Sequence, residues 1–298
     1  MTMESPGLPE VARASCNAKL NLFLKVIGKR TDGFHDIETV YHSISLADTL
    51  TLRRMTQGLT VASDDPNLPL DASNLVVRAA ASLIGSGEKG GVAIEIAKRI
   101  AVGAGLGGGS ADAAGTLLAV NQLLGLGRSA RELGEAASSI GADVRFMLEG
   151  GCAIGRGRGD ELEALPVLPP LAVAVVVPRV SISTTWAYAS LKMGLTTRKT
   201  RLSMVASAIE RGDVAGLCDL LENDFEALVF DRFPEIRRIK DDLLGLGARG
   251  ALLSGSGSSV FGIFLKAGDA EASGEALSRQ GLTVLIASFA VRGVTVSL

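Results

Sequence analysis

Residues 101–120 read AVGAGLGGGSADAAGTLLAV. Five of the seven positions from Gly103 to Gly109 are glycine, and an alanine-rich apolar run follows. Glycines in front of a helix let the backbone come close to a ligand. Their N–H groups point at phosphate oxygens, and the helix start adds partial positive charge. A plain turn seldom needs so many. The stretch predicts a phosphate-binding loop, then a helix from about Ser110 to Leu124.

Two common phosphate loops fail on detail. A Walker A loop needs GxxxxGK followed by Ser or Thr. The GK pair at Gly28-Lys29 is followed by Arg30. A dinucleotide GxGxxG matches at Gly103, Gly105 and Gly108. That fingerprint should open a βαβ unit directly after its first strand, with an acid about twenty residues on. Here the loop comes late, after hairpin-like sequence, and positions 123–128 hold no acid.

A chain of 298 residues suits one large domain or two ordinary ones, and 47% hydrophobic content suffices for a sizeable core. A net charge of -2 with pI near 5.8 offers no general attraction to nucleic acid or anionic membrane. Cys16, Cys152 and Cys218 lie far apart and outside any CxxC pair. Neither a disulfide scaffold nor a zinc site is expected, and a reducing interior is the default. The opening MTMESPGLPEVARAS lacks the basic start and apolar core of a signal peptide. LPVLPPLAVAVVVP (165–178) is too short and too proline-rich to span a membrane. The expectation is a soluble cytoplasmic protein.

Strands are predicted at 19–27, at 37–46 and 48–55 around a tight turn, and at 91–98. Helices are predicted at 74–84, with Ser73 as a candidate N-cap, and at 128–140. Asp143 sits in GADV, before an apolar strand-like stretch. A second half begins near GRGRGDELE (155–163). A buried strand at 171–177 is followed by helical segments at 184–193, 201–211, 213–222 and 234–244. A Gly/Ser loop (254–259), a strand (260–266), a helix (268–280) and strands near 282–288 and 291–297 close the chain. Without a regular βαβ beat, the class is α+β.

GLGGGSADAA resembles the phosphate loop of the GHMP small-molecule kinases. That loop usually opens with proline, where this chain has Ala101. AKLNLFLKVIGKRTDGFHDIETV (18–40), NLVVRAA (74–80), GADVRFML (141–148), GRGRGDEL (155–162), VSISTTWAY (180–188), NDFEALVFDRFPEI (223–236) and LLSGSGSSVFGIF (252–264) agree in order and spacing with one branch of the family. In that branch the acceptor is a cytidine-diphosphate-linked alcohol. The resemblance implies an N-terminal ATP-binding lobe (1–158), a C-terminal ferredoxin-like lobe (159–298) and a site between them. It implies ATP and Mg²⁺ as cofactors and leaves the oligomeric state open. Another GHMP kinase with a mevalonate-type or sugar substrate, or a non-catalytic nucleotide-binding protein on this scaffold, are the rival readings.

Phosphoryl transfer needs a phosphate cradle, an orienting or basic group at the acceptor hydroxyl, and a cation near the developing charge. The cradle is Ala101, Val102, Gly103, Ala104, Gly105, Leu106, Gly107, Gly108, Gly109, Ser110 and Ala111. Ser110 is also the candidate Mg²⁺ ligand and a candidate helix N-cap. The resemblance makes Asp143 the candidate base and Lys19 the cation beside it. It brings Asn21 near the acceptor hydroxyl and Asn74 to the adenine. Phe34 and Tyr188 would sandwich the pyrimidine, His35 would read its edge, and Thr184 would join them. The branch more often has tyrosine at the Phe34 position, and proline where Arg145 stands.

Overall fold

A computed structural model describes residues 8–85, 90–191 and 200–298. The chain opens on a long antiparallel hairpin, β1 (Val11–Lys29) and β2 (His35–Met55). The turn expected between 46 and 48 is absent, and β2 runs straight through. Asp48 does not close a local turn. Its carboxylate reaches across to accept the Arg99 and Ile100 N–H groups, at 2.5 and 2.9 Å. β1 breaks register between Asn17 and Lys19, Asn21 and Phe23, and Val26 and Gly28. Such bulges re-aim side chains, and Lys19 and Asn21 lie between two of them.

Next come β3 (Leu59–Ser63), α1 (Leu75–Ile84) and β4 (Gly91–Ala97). The N-cap of α1 is Asn74, one residue later than expected. Ser73 is held instead by Asp71, which accepts both its N–H and its hydroxyl. α2 (Gly108–Leu123) follows the glycine loop, starting two residues before Ser110. α3 (Ala130–Ile140) begins at a Ser129/Glu132 capping box. The run after Asp143 is not strand-like but helix α4 (Ala142–Glu149). Arg145 and Glu149 pair across one turn at 2.7 Å while Val144, Phe146 and Met147 turn inward.

A hairpin of β5 (Cys152–Arg156) and β6 (Glu161–Leu165) precedes β7 (Ala172–Val177). The rest is α5 (Thr184–Ser190), α6 (Leu202–Glu210), α7 (Val214–Asp219), β8 (Glu222–Asn223), α8 (Phe225–Arg232), α9 (Pro234–Gly245), β9 (Gly250–Leu253), β10 (Val260–Phe264), α10 (Ala267–Arg279), β11 (Thr283–Ser288) and β12 (Val294–Ser297). The expected end of α5 at 192–193 lies outside the described residues. Sequence patterning gave no sign of α8, whose eight residues carry only three buried positions.

The first sheet runs β12-β1-β2-β4-β3, with β5 and β6 attached to β2 and β8 to β1. The second is antiparallel, β11-β7-β10-β9. Taken in chain order its strands lie 4-1-3-2 with helices at both crossovers, the ferredoxin-like pattern. The sheets cut across the 158/159 junction drawn from sequence, since β6 and β12 both join the first sheet. α2 packs on β1 so closely that a Cβ on Gly115 would lie 2.3 Å from Cys16 Sγ. Small residues in the helix are a condition of that contact. All three cysteines are buried and free, and no helix among the described residues is long and apolar enough to cross a membrane.

Candidate active site

The glycine loop crosses from β4 to α2 with Gly103, Gly105 and Gly107 at φ +68°, +81° and +73°, a region side chains rarely adopt. Space forbids a side chain as well. A Cβ on Gly105 would lie 2.1 Å from the Ser254 carbonyl oxygen, and one on Gly107 2.3 Å from Met147 Cε. The loop carbonyls turn into the protein. Ala104 O accepts from Ser259 N–H, Gly105 O from the Ser254 hydroxyl, and Leu106 O from Lys19 N–H, at 3.0 to 3.1 Å. Gly107 is the N-cap of α2, and no side chain caps that helix. The first N–H groups of a helix lack intrahelical partners, so this end offers donors and positive potential to an anion. Ser110 sits inside the first turn and is therefore not the N-cap; its hydroxyl remains available as an oxygen ligand.

Lys19 is 4% exposed on β1. Its Nζ donates to Asn21 Oδ1 at 2.5 Å and stands 3.6 Å from Asp143 Oδ2. Asn21 Nδ2 donates to Thr39 Oγ1, which donates to the Phe23 carbonyl, at 2.8 and 2.6 Å. This relay fixes the Asn21 amide and leaves its oxygen to orient the lysine. Asp143 occupies the first turn of α4, where the helix dipole favours a carboxylate. Its Oδ1 accepts from the Tyr41 hydroxyl at 3.0 Å.

Lys19, Asn21, Tyr41 and Asp143 line one cavity of about 810 Å³, together with Phe34, His35, Thr184, Tyr188 and the loop residues 101–105 and 107–110. Three expected residues are not among its lining. Asn74 spends its side chain capping α1 and donating to the Pro69 carbonyl. Leu106 and Ala111 turn into the core, each 0% exposed. In the same cavity the His35 and Tyr188 rings lie 4.8 Å apart, and Phe34 is 52% exposed. His35 thus packs against Tyr188. Thr184 Oγ1 is 3.1 Å from Ser256 Oγ, which ties α5 to the Gly/Ser loop. Arg145, without a role from sequence, lies along α3, where a Cβ on Gly134 would be 2.8 Å from its Nη1.

Sequence reasoning missed Tyr41 and Lys98, which also line the cavity. Tyr41 stood in a run that patterning read only as strand. Lys98 ends that same kind of run, and its partners are distant in sequence. Mg²⁺ favours oxygen ligands and is commonly held by one or two carboxylates plus substrate phosphates. Ser110 supplies one such oxygen. Among the described residues no group of three His, Cys, Asp or Glu side chains could hold a metal ion. The donor set fits an ion that arrives with the nucleotide.

The GHMP kinase N-terminal domain model matches residues 74–153, and the GHMP kinase C-terminal model matches residues 205–282. A 4-diphosphocytidyl-2-C-methyl-D-erythritol kinase from Pelotomaculum thermopropionicum is 43% identical over 85% of this chain and 89% of its own. One from Syntrophotalea carbinolica is 40% identical over 88% and 92%. The chain belongs to the GHMP kinases, within this 4-diphosphocytidyl-2-C-methyl-D-erythritol kinase family. A crystal structure of a kinase of that name superposes with a TM-score of 0.78 at 34% identity, covering 93% of this chain and 98% of the other. Homoserine kinase from Cytophaga hutchinsonii superposes with a TM-score of 0.79 at 21% identity, over 99% and 100%, and shares the fold. As a GHMP kinase the chain is a phosphotransferase with ATP as donor. The α+β, two-lobed GHMP fold expected from sequence is the fold observed.

Proposed function

We propose that this kinase transfers the γ-phosphoryl group of ATP to the 2-hydroxyl of 4-diphosphocytidyl-2-C-methyl-D-erythritol, a step in isoprenoid precursor synthesis in the cytoplasm. The observation that carries the assignment of roles is the convergence of Lys19, Asn21 and Asp143 beside the uncapped start of α2. Asp143 takes the proton from the acceptor hydroxyl as the new O–P bond forms and the bond to the leaving diphosphate breaks. Lys19, kept in place by Asn21, balances charge at the transferring group. The backbone N–H groups at Gly107–Ser110 hold the donor phosphates. Mg²⁺, when bound with the nucleotide, supplies charge neutralisation at the phosphates, and Ser110 is its protein ligand in this reading. Phe34, His35 and Tyr188 supply the aromatic surface for the cytosine in the same cavity.

Incubation with Mg-ATP and the cytidyl substrate should yield ADP and a product heavier by one phosphate. Mevalonate and sugar acceptors, offered in parallel, should give none. Folded, ATP-binding protein that yields no product from the cytidyl substrate would defeat the assignment.

A further inference from the structure

We propose that Tyr41 is a positioning residue for the transfer step, holding the Asp143 carboxylate through its phenolic hydroxyl. The proposal rests on the reading of Asp143 as the base and adds to it a third residue, from another strand. Tyr41 lies on β2 and is 1% exposed. Its ring stacks on Phe146, with centroids 4.8 Å apart and planes at 24°. Phe146 is three residues beyond Asp143 on α4, so the ring fits under the same turn of helix that carries the carboxylate. The hydroxyl donates to Asp143 Oδ1 at 3.0 Å, while Lys19 stands 3.6 Å from Oδ2. The two oxygens are thus held by different partners from different strands. Such a fork resists rotation of the carboxylate better than either contact alone.

The seat for this ring is built by the glycines of the GRGRGD stretch. A Cβ on Gly155 would lie 2.6 Å from Tyr41 Cε2, and one on Gly159 only 2.4 Å from the hydroxyl oxygen. Those glycines had no assigned purpose from sequence. They leave room for a phenol where a smaller ring would leave a void. Burial, and then the charge of Asp143, push the Tyr41 hydroxyl well above its ordinary range. It therefore stays protonated and serves as a donor only. A donor held against a charged acceptor at an enclosed site is among the stronger hydrogen bonds. Catalytic groups depend on supporting contacts of this kind for their geometry.

The test is Tyr41→Phe, which keeps the ring and its stacking and removes one oxygen. The expected result is kcat lowered about 5- to 20-fold, with both KM values within about 2-fold. Asp143→Asn is run beside it. Unchanged kcat in Tyr41→Phe, with Asp143→Asn inactive, overturns the Tyr41 proposal alone. So does a loss of kcat that comes with a lower melting temperature and both KM values raised with it, since that marks a structural role. Near-parental turnover in Asp143→Asn overturns the reading of the base, and the Tyr41 proposal with it.

Discussion

Lys98 Nζ lies 2.8 Å from Asp112 Oδ2, joining the last residue before the glycine loop's approach to the helix that follows it. The same ammonium pairs with Asp48, so one lysine serves two carboxylates that are 0% and 1% exposed. Burial pushes Asp112 up to about 7, with Lys98 pulling it down and Asp48 pushing it up. Lys98 is itself raised: burial opposes its charge, and the two carboxylates override that. Removing the shared cation strands two buried acids, and breaking such a pair costs about 3–5 kcal/mol. Lys98→Ala should lose stability of that order in a urea titration. Asp112→Asn leaves a one-to-one pair and removes a buried charge, so it should cost less than about 1 kcal/mol or stabilise. Equal losses in the two variants would contradict this account of the cluster.

The glycines of the loop should separate into two kinds. Gly105→Ala meets a carbonyl oxygen at 2.1 Å and a positive φ, and no flexible side chain can yield there. It should lose about 2 kcal/mol or more and most turnover. At Gly109 the nearest atom to an added Cβ is Leu75 Cδ1, 4.0 Å away, and φ is not positive. Gly109→Ala should fold normally, and its KM for ATP should rise if the donor phosphates approach this backbone. A Gly109→Ala enzyme with an unaltered KM for ATP would move the phosphates away from that N–H.

This contrast shows what was legible in the sequence. The run from Gly103 to Gly109 announced a cradle because glycine density is a local signal. Helix and strand classes followed from periodicity at 91–98, 128–140 and 260–266. Asp48 was not legible, because the N–H groups it accepts from lie fifty residues away. The capping role of Asn74 was not legible for a related reason. An asparagine before an apolar run can face a ligand or cap a helix, and only the path of the 69–74 loop decides. Tyr41 carried no local mark at all, since its partner Asp143 and its seat at Gly155 and Gly159 are more than a hundred residues on.

Lys19 and Asp143 should be dispensable for folding and required for turnover. Asp143 is on the cavity wall, and its contacts to Lys19 and Tyr41 are the interior ones. Asp143→Asn is nearly isosteric and should lower kcat by about 10²–10⁴, the usual range for losing a general base. Lys19→Met keeps much of the apolar stem and should lower kcat comparably. Circular dichroism and melting temperature should stay close to the parent in Asp143→Asn. Turnover within a few-fold of the parent in either variant would remove that residue from its assigned role.

Phe34 lines the cavity and is half-exposed, with the Arg158 guanidinium 5.3 Å from its ring centroid. Being half-exposed, the ring adds little to the core. Phe34→Ala should therefore leave stability within about 0.5 kcal/mol. If the ring carries the cytosine, KM for the cytidyl substrate should rise about 10-fold, in line with a stacking contact of about 1–3 kcal/mol, while KM for ATP stays put. Equal increases in both constants would mean that Phe34 shapes the cavity as a whole rather than one part of it.

His42 gives the fold a pH dependence of its own. It is 0% exposed and packs against Phe289 with ring centroids 4.3 Å apart. Its Nδ1 lies 2.8 Å from the Ser43 carbonyl oxygen, and its Nε2 accepts from the Leu168 N–H at 3.2 Å. A carbonyl requires a proton on Nδ1, and an N–H donor requires a lone pair on Nε2. The ring is therefore neutral, in the Nδ1–H tautomer, and a second proton would face the Leu168 N–H. Burial lowers its pKa to about 4, against 6.5 for the free side chain, with the Ser43 contact acting weakly the other way. The unfolded chain takes up this proton first as pH falls. The contribution is fully present above pH 6.5 and is lost progressively down to about pH 4, by about 3 kcal/mol at most. Urea titrations at pH 7.5, 5.5 and 4.5 should show that decline, and the difference between parent and His42→Gln should shrink over the same interval. With only two histidines in the chain, the His42 ring resonances can be followed directly. A ring that protonates near pH 6.5 in the folded protein would contradict the tautomer and the stability slope together.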